Sequence, residues 1–183
     1  MKLIKIIIFL LISFNLPLKV NSSDDIQKAF NGNGKLIFIR HAYAPGGGDP
    51  DNFDISNCTT QRNLNTKGIE QSINIGKFFL KNDIVIGKVL SSEWCRCKKT
   101  AEFAFKNYET RNFLNSFFSK KFSHNKSKQI KELKEYVKNW NSKKNLVLIT
   151  HFVVISEILD VSASSGEVII TNKNFEVLIR VND

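Results

Sequence analysis

The chain has 183 residues, a formal net charge of +10 and 42% hydrophobic residues. This length fits one domain with a sizeable core, and the composition is that of a globular protein rather than a disordered one. The basic balance favours anionic partners. No nucleic-acid recognition motif accompanies it, so we expect no nucleic-acid partner.

The first residues have the layout of a secretory signal peptide. Lys2 and Lys5 lie before a short apolar run over 6–12, and small polar residues follow this run. The run is too short to span a membrane, although an uncleaved anchor stays open because apolar residues continue beyond it. We therefore predict a signal peptide over 1–22 and a domain over 23–183 without an integral membrane segment. We expect this domain to be a monomer exported to the periplasm or the medium.

The chain contains three cysteines, Cys58, Cys95 and Cys97. In an oxidising, exported compartment this number predicts one disulfide and one remaining thiol, with Cys58 joined to either Cys95 or Cys97. A metal site is a poor alternative because a single residue separates Cys95 from Cys97 and no second cysteine pair follows. We expect neither a bound metal nor a cofactor.

The predicted elements alternate between strands and helices. An apolar strand over 36–40 precedes a loop over 44–51, whose glycines and prolines exclude regular structure and allow a ligand to approach the backbone. Asn65 can cap a helix that ends near Asn82. The later elements are a strand over 85–90, a helix capped by Ser91 and Ser92, a helix over 127–140, a strand over 146–149, a helix over 152–159, and a hairpin of strands 167–171 and 175–181. This alternation predicts an α/β fold.

The stretch 111–123 contains four phenylalanines and is not assigned to an element. Aromatic side chains of this kind pack in a core or a lid more often than they form a binding stripe. We therefore interpret Phe113, Phe117, Phe118 and Phe122 as packing residues.

Three strand ends carry side chains suited to phosphate chemistry. Arg40 and His41 end the first strand, while Arg96 and His151 follow later strands. Because ligands of α/β sheets gather at strand ends, we expect these side chains to converge. Arginine matches phosphate oxygens, a neutral His41 can attack phosphorus, and His151 can hydrogen-bond the transferring group. The sequence therefore predicts phosphoryl transfer with these four residues as the catalytic group.

The same residues belong to an ordered set of motifs. The chain reads RHAYAPGGGDPDNF from Arg40, CTTQRNL from Cys58, SSEWCRCKKTA from Ser91, LNSFF from Leu114 and THFV from Thr150, with SGE near its end. In this order the motifs resemble those of the histidine phosphatase, or phosphoglycerate mutase-like, superfamily, and most of all its small exported bacterial members. The resemblance spans most of the chain after the leader.

The resemblance implies a three-layer α/β/α sandwich with a mostly parallel central sheet. It implies a phosphohistidine intermediate on His41, with phosphate bound by Arg40, Arg96 and His151. It also makes Arg62, in the RNL motif, a substrate-binding candidate. The partner implied is a small phosphorylated substrate.

Two positions depart from the superfamily's pattern. Ala42 stands where most members have glycine, which trims the space near the nucleophile. Many members supply a glutamate proton donor from a region that here reads Leu-Asn-Ser over 114–116, and asparagine does not donate as an acid does. The proton donor is therefore unassigned, with Glu93, Asp49 and Asp51 as candidates. A leaving group that needs no protonation, such as a phosphoramidate or another phosphate, removes the need for one.

These observations predict a metal-independent phosphatase that hydrolyses a phosphomonoester or a phosphoramidate through a phosphohistidine intermediate. The alternative is a non-catalytic envelope module that binds a phosphorylated or polyanionic ligand in the same pocket. A glycolytic mutase is disfavoured by the export signal and by the lack of a recognisable second-phosphate pocket.

Overall fold

The computed structural model describes residues 23–30 and 34–182. The predicted signal peptide over 1–22 lies outside them, and that prediction is untested. Among the described residues, no helix is long and apolar enough to cross a membrane.

The described elements follow the predicted alternation closely. In chain order they are α1 (Ser23–Ala29), β1 (Leu36–Arg40), α2 (Thr66–Lys81), β2 (Ile86–Ser91), α3 (Cys95–Phe105), β3 (Glu109–Thr110), α4 (Lys126–Asn139), β4 (Asn145–Thr150), α5 (Phe152–Leu159), β5 (Val168–Thr171) and β6 (Val177–Val181). The α2 cap is the predicted one, since the Asn65 side chain accepts from Gly68 N. Short 3₁₀ turns interrupt the stretch between β3 and α4.

The start of α3 differs from the prediction. Ser91 ends β2, and the helix begins at Cys95 with Trp94 in the N-cap position and no side-chain cap. The Ser92 hydroxyl is engaged instead with Asn115 and with an imidazole of the site described below. The two serines therefore do not cap the helix, because one belongs to the sheet and the other to a polar network.

The six strands form one sheet in the order β3-β2-β4-β1-β5-β6. Strands β1 to β4 run parallel, whereas β5 is antiparallel to its neighbours β1 and β6. Every residue of β4 is buried, as expected for a strand covered on both faces. The sheet is therefore mixed and mostly parallel, as predicted.

Helices cover both faces of this sheet. Ile37 of β1 packs in a cluster with Phe79 of α2, and the next residue, Phe38, packs on the other face with Leu133 of α4 and Ile155 of α5. Successive strand residues point to opposite faces, so a continuous apolar strand supports two helical layers. The predicted three-layer α/β/α sandwich is confirmed.

The carboxyl ends of the parallel strands lie side by side. Arg40 of β1 pairs in register with Thr150 of β4, and Ser91 of β2 pairs with Ile149 of the same strand. The ladder continues one step further, because His41 N donates to Thr150 O across 2.9 Å. The residues that follow these strands are therefore neighbours in space.

Candidate active site

A cavity of about 390 Å³ lies where β1, β2 and β4 end. Its lining combines four cationic side chains, two imidazoles, two carboxylates and five aromatic rings. The charged and imidazole residues are Arg40, His41, Asp49, Asp51, Arg62, Arg96, Lys121 and His151. The structure therefore brings together the four predicted catalytic residues and the additional binding candidate, Arg62, in a cavity whose excess of cations suits an anion.

His41 is held in the orientation and tautomer that a nucleophile requires. It is 2% exposed, and its Nδ1 lies 2.9 Å from the carbonyl oxygen of Ala42. Because a carbonyl oxygen only accepts, Nδ1 carries the proton and Nε2 keeps its lone pair. Arg96 Nε donates to this Nε2 across 3.2 Å. The attacking nitrogen therefore lies directly beside a guanidinium group.

Burial and neighbouring cations keep both imidazoles neutral. Desolvation lowers the pKa of His41 well below its ordinary value of 6.5, and the charge of Arg96 lowers it further. The same two causes, in the same order, lower the pKa of His151 well below 6.5. His41 is therefore available as a neutral nucleophile at neutral pH.

His151 belongs to a hydrogen-bonded chain that fixes its tautomer. The Ser92 hydroxyl donates to Asn115 Oδ1 across 3.0 Å and lies 2.9 Å from His151 Nε2. Because this hydroxyl has only one proton, it accepts from Nε2–H, and the imidazole lone pair is on Nδ1. That Nδ1 lies 3.5 Å from Arg96 Nη2. A neutral His151 therefore offers an acceptor at Nδ1, and this nitrogen donates only when the ring gains a proton.

Arg40 and Arg62 each have a buried guanidinium Nε that finds no acceptor among the described residues. Arg40 Nη1 donates to Ala163 O across 2.7 Å, and Arg62 Nη1 donates to Gly46 O across 3.0 Å. Desolvation, and next the charge of Arg96, lower the pKa of both groups. A bound dianion would relieve this repulsion and accept from the two Nε–H groups.

Asp49 connects the glycine-rich loop after β1 to the start of α3. Its Oδ1 accepts from Arg96 Nη1 across 2.7 Å and from Arg62 N across 3.1 Å, while Oδ2 accepts from Trp94 Nε1 across 3.1 Å. Burial favours the neutral acid, but the hydrogen bond and charge of Arg96 outweigh it and lower the pKa of Asp49 from 3.8. Asp49 is therefore an ionised carboxylate that orients Arg96.

The other two proton-donor candidates, Glu93 and Asp51, do not form an ion pair with Arg96 as Asp49 does. Glu93 accepts from Asn115 Nδ2 across 2.6 Å and does not line the cavity. Asp51 lines the cavity but is exposed at its rim. Asp49 is held in an ion pair, Glu93 lies outside the cavity lining and Asp51 is exposed, so the structure singles out none of the three as the donor. The proton donor stays unassigned.

One hydroxyl connects the backbone after the nucleophile to the helix that carries Arg96. Thr100 Oγ1 accepts from Ala42 N across 3.0 Å and donates to Arg96 O across 2.7 Å. Ala42 and Thr100 are both fully buried. The motif contained Thr100, but the sequence assigned it no role because its partners are set by the packing of α3 against β1.

Gln71 and two glycines hold the next part of the same loop. Gln71 Oε1 accepts from Tyr43 N, and its Nε2 donates to Ser165 O, each across 2.9 Å. A Cβ on Gly68 would lie 2.0 Å from Tyr43 O, and one on Gly166 would lie 2.3 Å from the Gln71 side chain. Gln71, Gly68 and Gly166 therefore hold the loop that follows His41 in place. The sequence alone did not reveal this structural role.

The structure joins Cys58 to Cys95 and leaves Cys97 as a buried free thiol. Of the two pairings left open by the sequence, it therefore has the one that links the loop after β1 to the first turn of α3, next to Arg96. Burial raises the pKa of the Cys97 thiol to about 12, so this thiol stays protonated. Within residues 23–30 and 34–182, no cluster of three or more His, Cys, Asp or Glu side chains could hold a metal ion.

The four phenylalanines of the stretch 111–123 divide into two pairs. Phe113 and Phe117 are buried in the core, as predicted. Phe122 and Phe118 line the cavity. Phe122 packs edge-on against Trp94, and Phe118, although 63% exposed, packs edge-to-face against Phe152, so Phe118 packs at the cavity rather than in the core. The position of Phe118 depends on the path of an irregular loop, and the hydrophobic pattern of the sequence does not predict that path.

No family model and no curated protein matches the chain, but solved structures do. The protein histidine phosphatase SixA complexed with tungstate gives a TM-score of 0.55 at 14% identity, covering 78% of this chain and 92% of that one. Phosphoglycerate mutase from Thermus thermophilus gives 0.54 at 15% identity, covering 81% and 98%. The chain has the fold of the histidine phosphatase superfamily.

A third structure with the histidine phosphatase fold is a phosphoserine phosphatase variant from Entamoeba histolytica in complex with phosphoserine. It gives a TM-score of 0.54 at 18% identity and covers 75% of this chain and 89% of that one. These matches confirm the fold class predicted from the motifs. In this histidine phosphatase fold, the cavity occupies the carboxyl edge of the parallel strands, where α/β sheets bind ligands.

Proposed function

We propose that the protein is a metal-independent phosphatase that forms a phosphohistidine intermediate on His41. The observation that carries this proposal is the His41 ring, whose Nδ1 donates to Ala42 O while Nε2 keeps its lone pair beside Arg96. A neutral, oriented imidazole in a cationic cavity has the properties of a nucleophile for phosphorus.

The reaction has two steps. His41 Nε2 first attacks phosphorus, a phosphorus–nitrogen bond forms, and the bond from phosphorus to the leaving oxygen or nitrogen breaks. Water then attacks the phosphohistidine, releases inorganic phosphate and returns the lone pair to Nε2. Arg40 and Arg96 hold the phosphoryl oxygens in both steps and offset their charge, and Arg62 widens this cationic surface. These guanidinium groups supply the positive charge that a metal ion supplies in other phosphatases.

His151 contributes as an imidazolium. Its Nε2–H is committed to Ser92, so only a proton on Nδ1 allows it to donate to a phosphoryl oxygen. The bound phosphoryl dianion favours that protonated form because an opposite charge stabilises it. Substrate binding and protonation of His151 are therefore coupled.

We further propose a small phosphorylated substrate encountered outside the cytoplasm. The Cys58–Cys95 disulfide supports export, since structural disulfides persist in oxidising compartments. The predicted signal peptide carries three lysines and no acids, so without it the formal net charge falls from +10 to +7, and this charge steers anionic substrates to the cavity. Two of the structural matches, a protein histidine phosphatase and a phosphoserine phosphatase, act on phosphorylated molecules by their names.

The test is hydrolysis of p-nitrophenyl phosphate by the purified protein in the presence of a chelator. We expect phosphate release that is insensitive to the chelator and lost in His41→Ala and Arg96→Ala. Persistent activity in His41→Ala contradicts the nucleophile, and loss of activity in chelator contradicts metal independence. If no phosphate of a broad panel is hydrolysed while tungstate still binds, the protein is the ligand-binding module that the sequence left as the alternative.

A further inference from the structure

The cavity has an apolar side that the phosphoryl chemistry does not use. Phe118 is 63% exposed and Phe152 is 36% exposed, and both line the cavity. Their ring centroids lie 5.3 Å apart in an edge-to-face arrangement. The guanidinium carbon of Arg40 lies 5.4 Å from the Phe152 centroid. An accessible aromatic pair therefore adjoins a group that we expect to hold the phosphate.

These two rings are exposed although the fold offers other phenylalanines full burial. Phe113 and Phe117, in the same irregular stretch as Phe118, are 6% and 8% exposed. Aromatic side chains that line a cavity together with a few charged groups are typical of small-molecule binding sites. Aromatic rings prefer to pack on other rings, offset or edge-to-face, with a gain beyond simple burial. The rings therefore suit a substrate that carries a planar aromatic group close to its phosphate.

A second observation, independent of the aromatic rings, concerns which leaving groups the carboxylates of the cavity can assist. Asp49 is ion-paired with Arg96, and Asp51 is exposed at the rim. Within the described part of the chain, the lining therefore offers no unpaired carboxyl group enclosed in the cavity that could donate to an alkoxide. A phenol, whose pKa is about 10, leaves as phenolate far more easily than an alkyl alcohol leaves as alkoxide, because the alcohol is a much weaker acid.

From these two observations we propose that the substrate is a phosphate ester of a phenolic hydroxyl, whose ring packs against Phe118 and Phe152. This inference rests on the proposed phosphatase function. The phosphorus–oxygen bond to the ring oxygen breaks as His41 Nε2 attacks, and the phenolate leaves and takes a proton from water. Water then releases inorganic phosphate from the phosphohistidine.

Three substrates separate the ring from the leaving group. Phenyl phosphate has the ring and a phenolic leaving group, benzyl phosphate has the ring and an alkyl leaving group, and cyclohexyl phosphate has neither. Because a placed general acid contributes about 10²- to 10⁴-fold, we expect kcat/KM for phenyl phosphate to exceed that for cyclohexyl phosphate by this factor. Equal rates on the two overturn the inference while leaving His41-dependent hydrolysis, and hence the proposed function, intact.

Phe118→Ala tests the binding surface. One aromatic contact corresponds to roughly 2- to 12-fold in kcat/KM, and we expect this loss on phenyl and benzyl phosphate but not on cyclohexyl phosphate. Phe103→Ala is the matched control, because Phe103 is 40% exposed on α3 and does not line the cavity. A loss on all three substrates, or on none, overturns the assigned surface. Failure of wild-type protein to hydrolyse any of them overturns the proposed function itself.

The phenolic group can belong to a small molecule or to a tyrosine side chain. Phenyl phosphate and a phosphotyrosine peptide distinguish these sources, since the better substrate by kcat/KM identifies the source and either result supports the phenolic class. An adenosine 5′-phosphate tests the competing aromatic class, in which the ring is a base and the leaving group is an alkyl alcohol. Faster hydrolysis of this nucleotide than of phenyl phosphate overturns the inference.

Discussion

Thr100→Val removes one hydroxyl and preserves the shape of the side chain. In the wild type this hydroxyl accepts from Ala42 N and donates to Arg96 O. The substitution leaves the Ala42 N–H buried without an acceptor, because Ala42 is 0% exposed and Thr100 is its partner. An orphaned buried donor costs about 1–3 kcal/mol, so we expect the free energy of unfolding to fall by about 2 kcal/mol. For a domain of this size, the melting temperature falls by roughly 4–8 °C.

The same hydroxyl holds the backbone N–H of Ala42, the residue whose carbonyl orients His41, so catalysis should fall as well. Ala42 O accepts from His41 Nδ1, and a displacement of this peptide rotates the His41 ring away from phosphorus. Because small misplacements cost up to about 10²-fold, we expect kcat to fall roughly 10- to 100-fold. The assay is p-nitrophenyl phosphate hydrolysis well below the melting temperature, with thermal unfolding measured in parallel.

Thr171→Val is the control for a buried threonine hydroxyl far from the cavity. Thr171 is 0% exposed, and its hydroxyl donates to Asn172 O across 3.0 Å in the β5–β6 turn. We expect a loss of about 1 kcal/mol with kcat unchanged. If Thr100→Val destabilises the protein no more than this control and leaves kcat intact, Thr100 does not position His41.

Four further predictions concern protonation and the disulfide. Because the pKa of His41 lies well below 6.5 in the folded protein, and because substrate binding adds a proton to His151, kcat/KM should rise rather than fall as the pH decreases through 6.5. The free energy of unfolding should also fall as the pH decreases through 6.5, because histidine in the unfolded chain binds protons near pH 6.5 while buried, neutral His41 and His151 do not. Urea titrations across this pH range measure the change. A free energy of unfolding that stays constant contradicts the prediction. Binding of tungstate at mildly alkaline pH should take up about one proton in wild type and none in His151→Gln, measured by calorimetry in two buffers of different ionisation enthalpy. The Cys58–Cys95 bond joins residues 37 positions apart, so by loop entropy its reduction should lower the free energy of unfolding by about 4 kcal/mol. Cys97→Ala should keep this disulfide. An equal denaturation midpoint for oxidised and reduced protein would contradict the expected loss.

The sequence predicted which side chains converge at the cavity because one physical rule connects them. Arg40, His41 and His151 follow apolar strands, and parallel strands present their carboxyl ends at one edge of the sheet. Their convergence therefore follows from strand patterns and topology. The role of Arg96 follows similarly from its position just after β2.

Other features of the site depend on tertiary contacts that no local pattern encodes. The ion pair of Asp49 with Arg96 requires the loop course set by Gly46 and Gly48, which have φ of +91° and +88°. The choice of Cys95 as disulfide partner depends on where α3 begins, and that start was itself predicted wrongly. The periodicity of hydrophobic residues predicts which helix or strand a residue belongs to, but it does not predict how a loop folds back over the sheet.

The central claim is that phosphate passes through a covalent bond to His41 Nε2. The most direct test mixes the protein with a ³²P-labelled aryl phosphate, quenches within the first turnover, and follows the label on the protein. We predict a label that is stable in alkali, labile in acid, carried by the peptide that contains His41, and absent from His41→Ala. Product formation during the same turnover without labelled protein would contradict the account, since water would then attack the substrate directly.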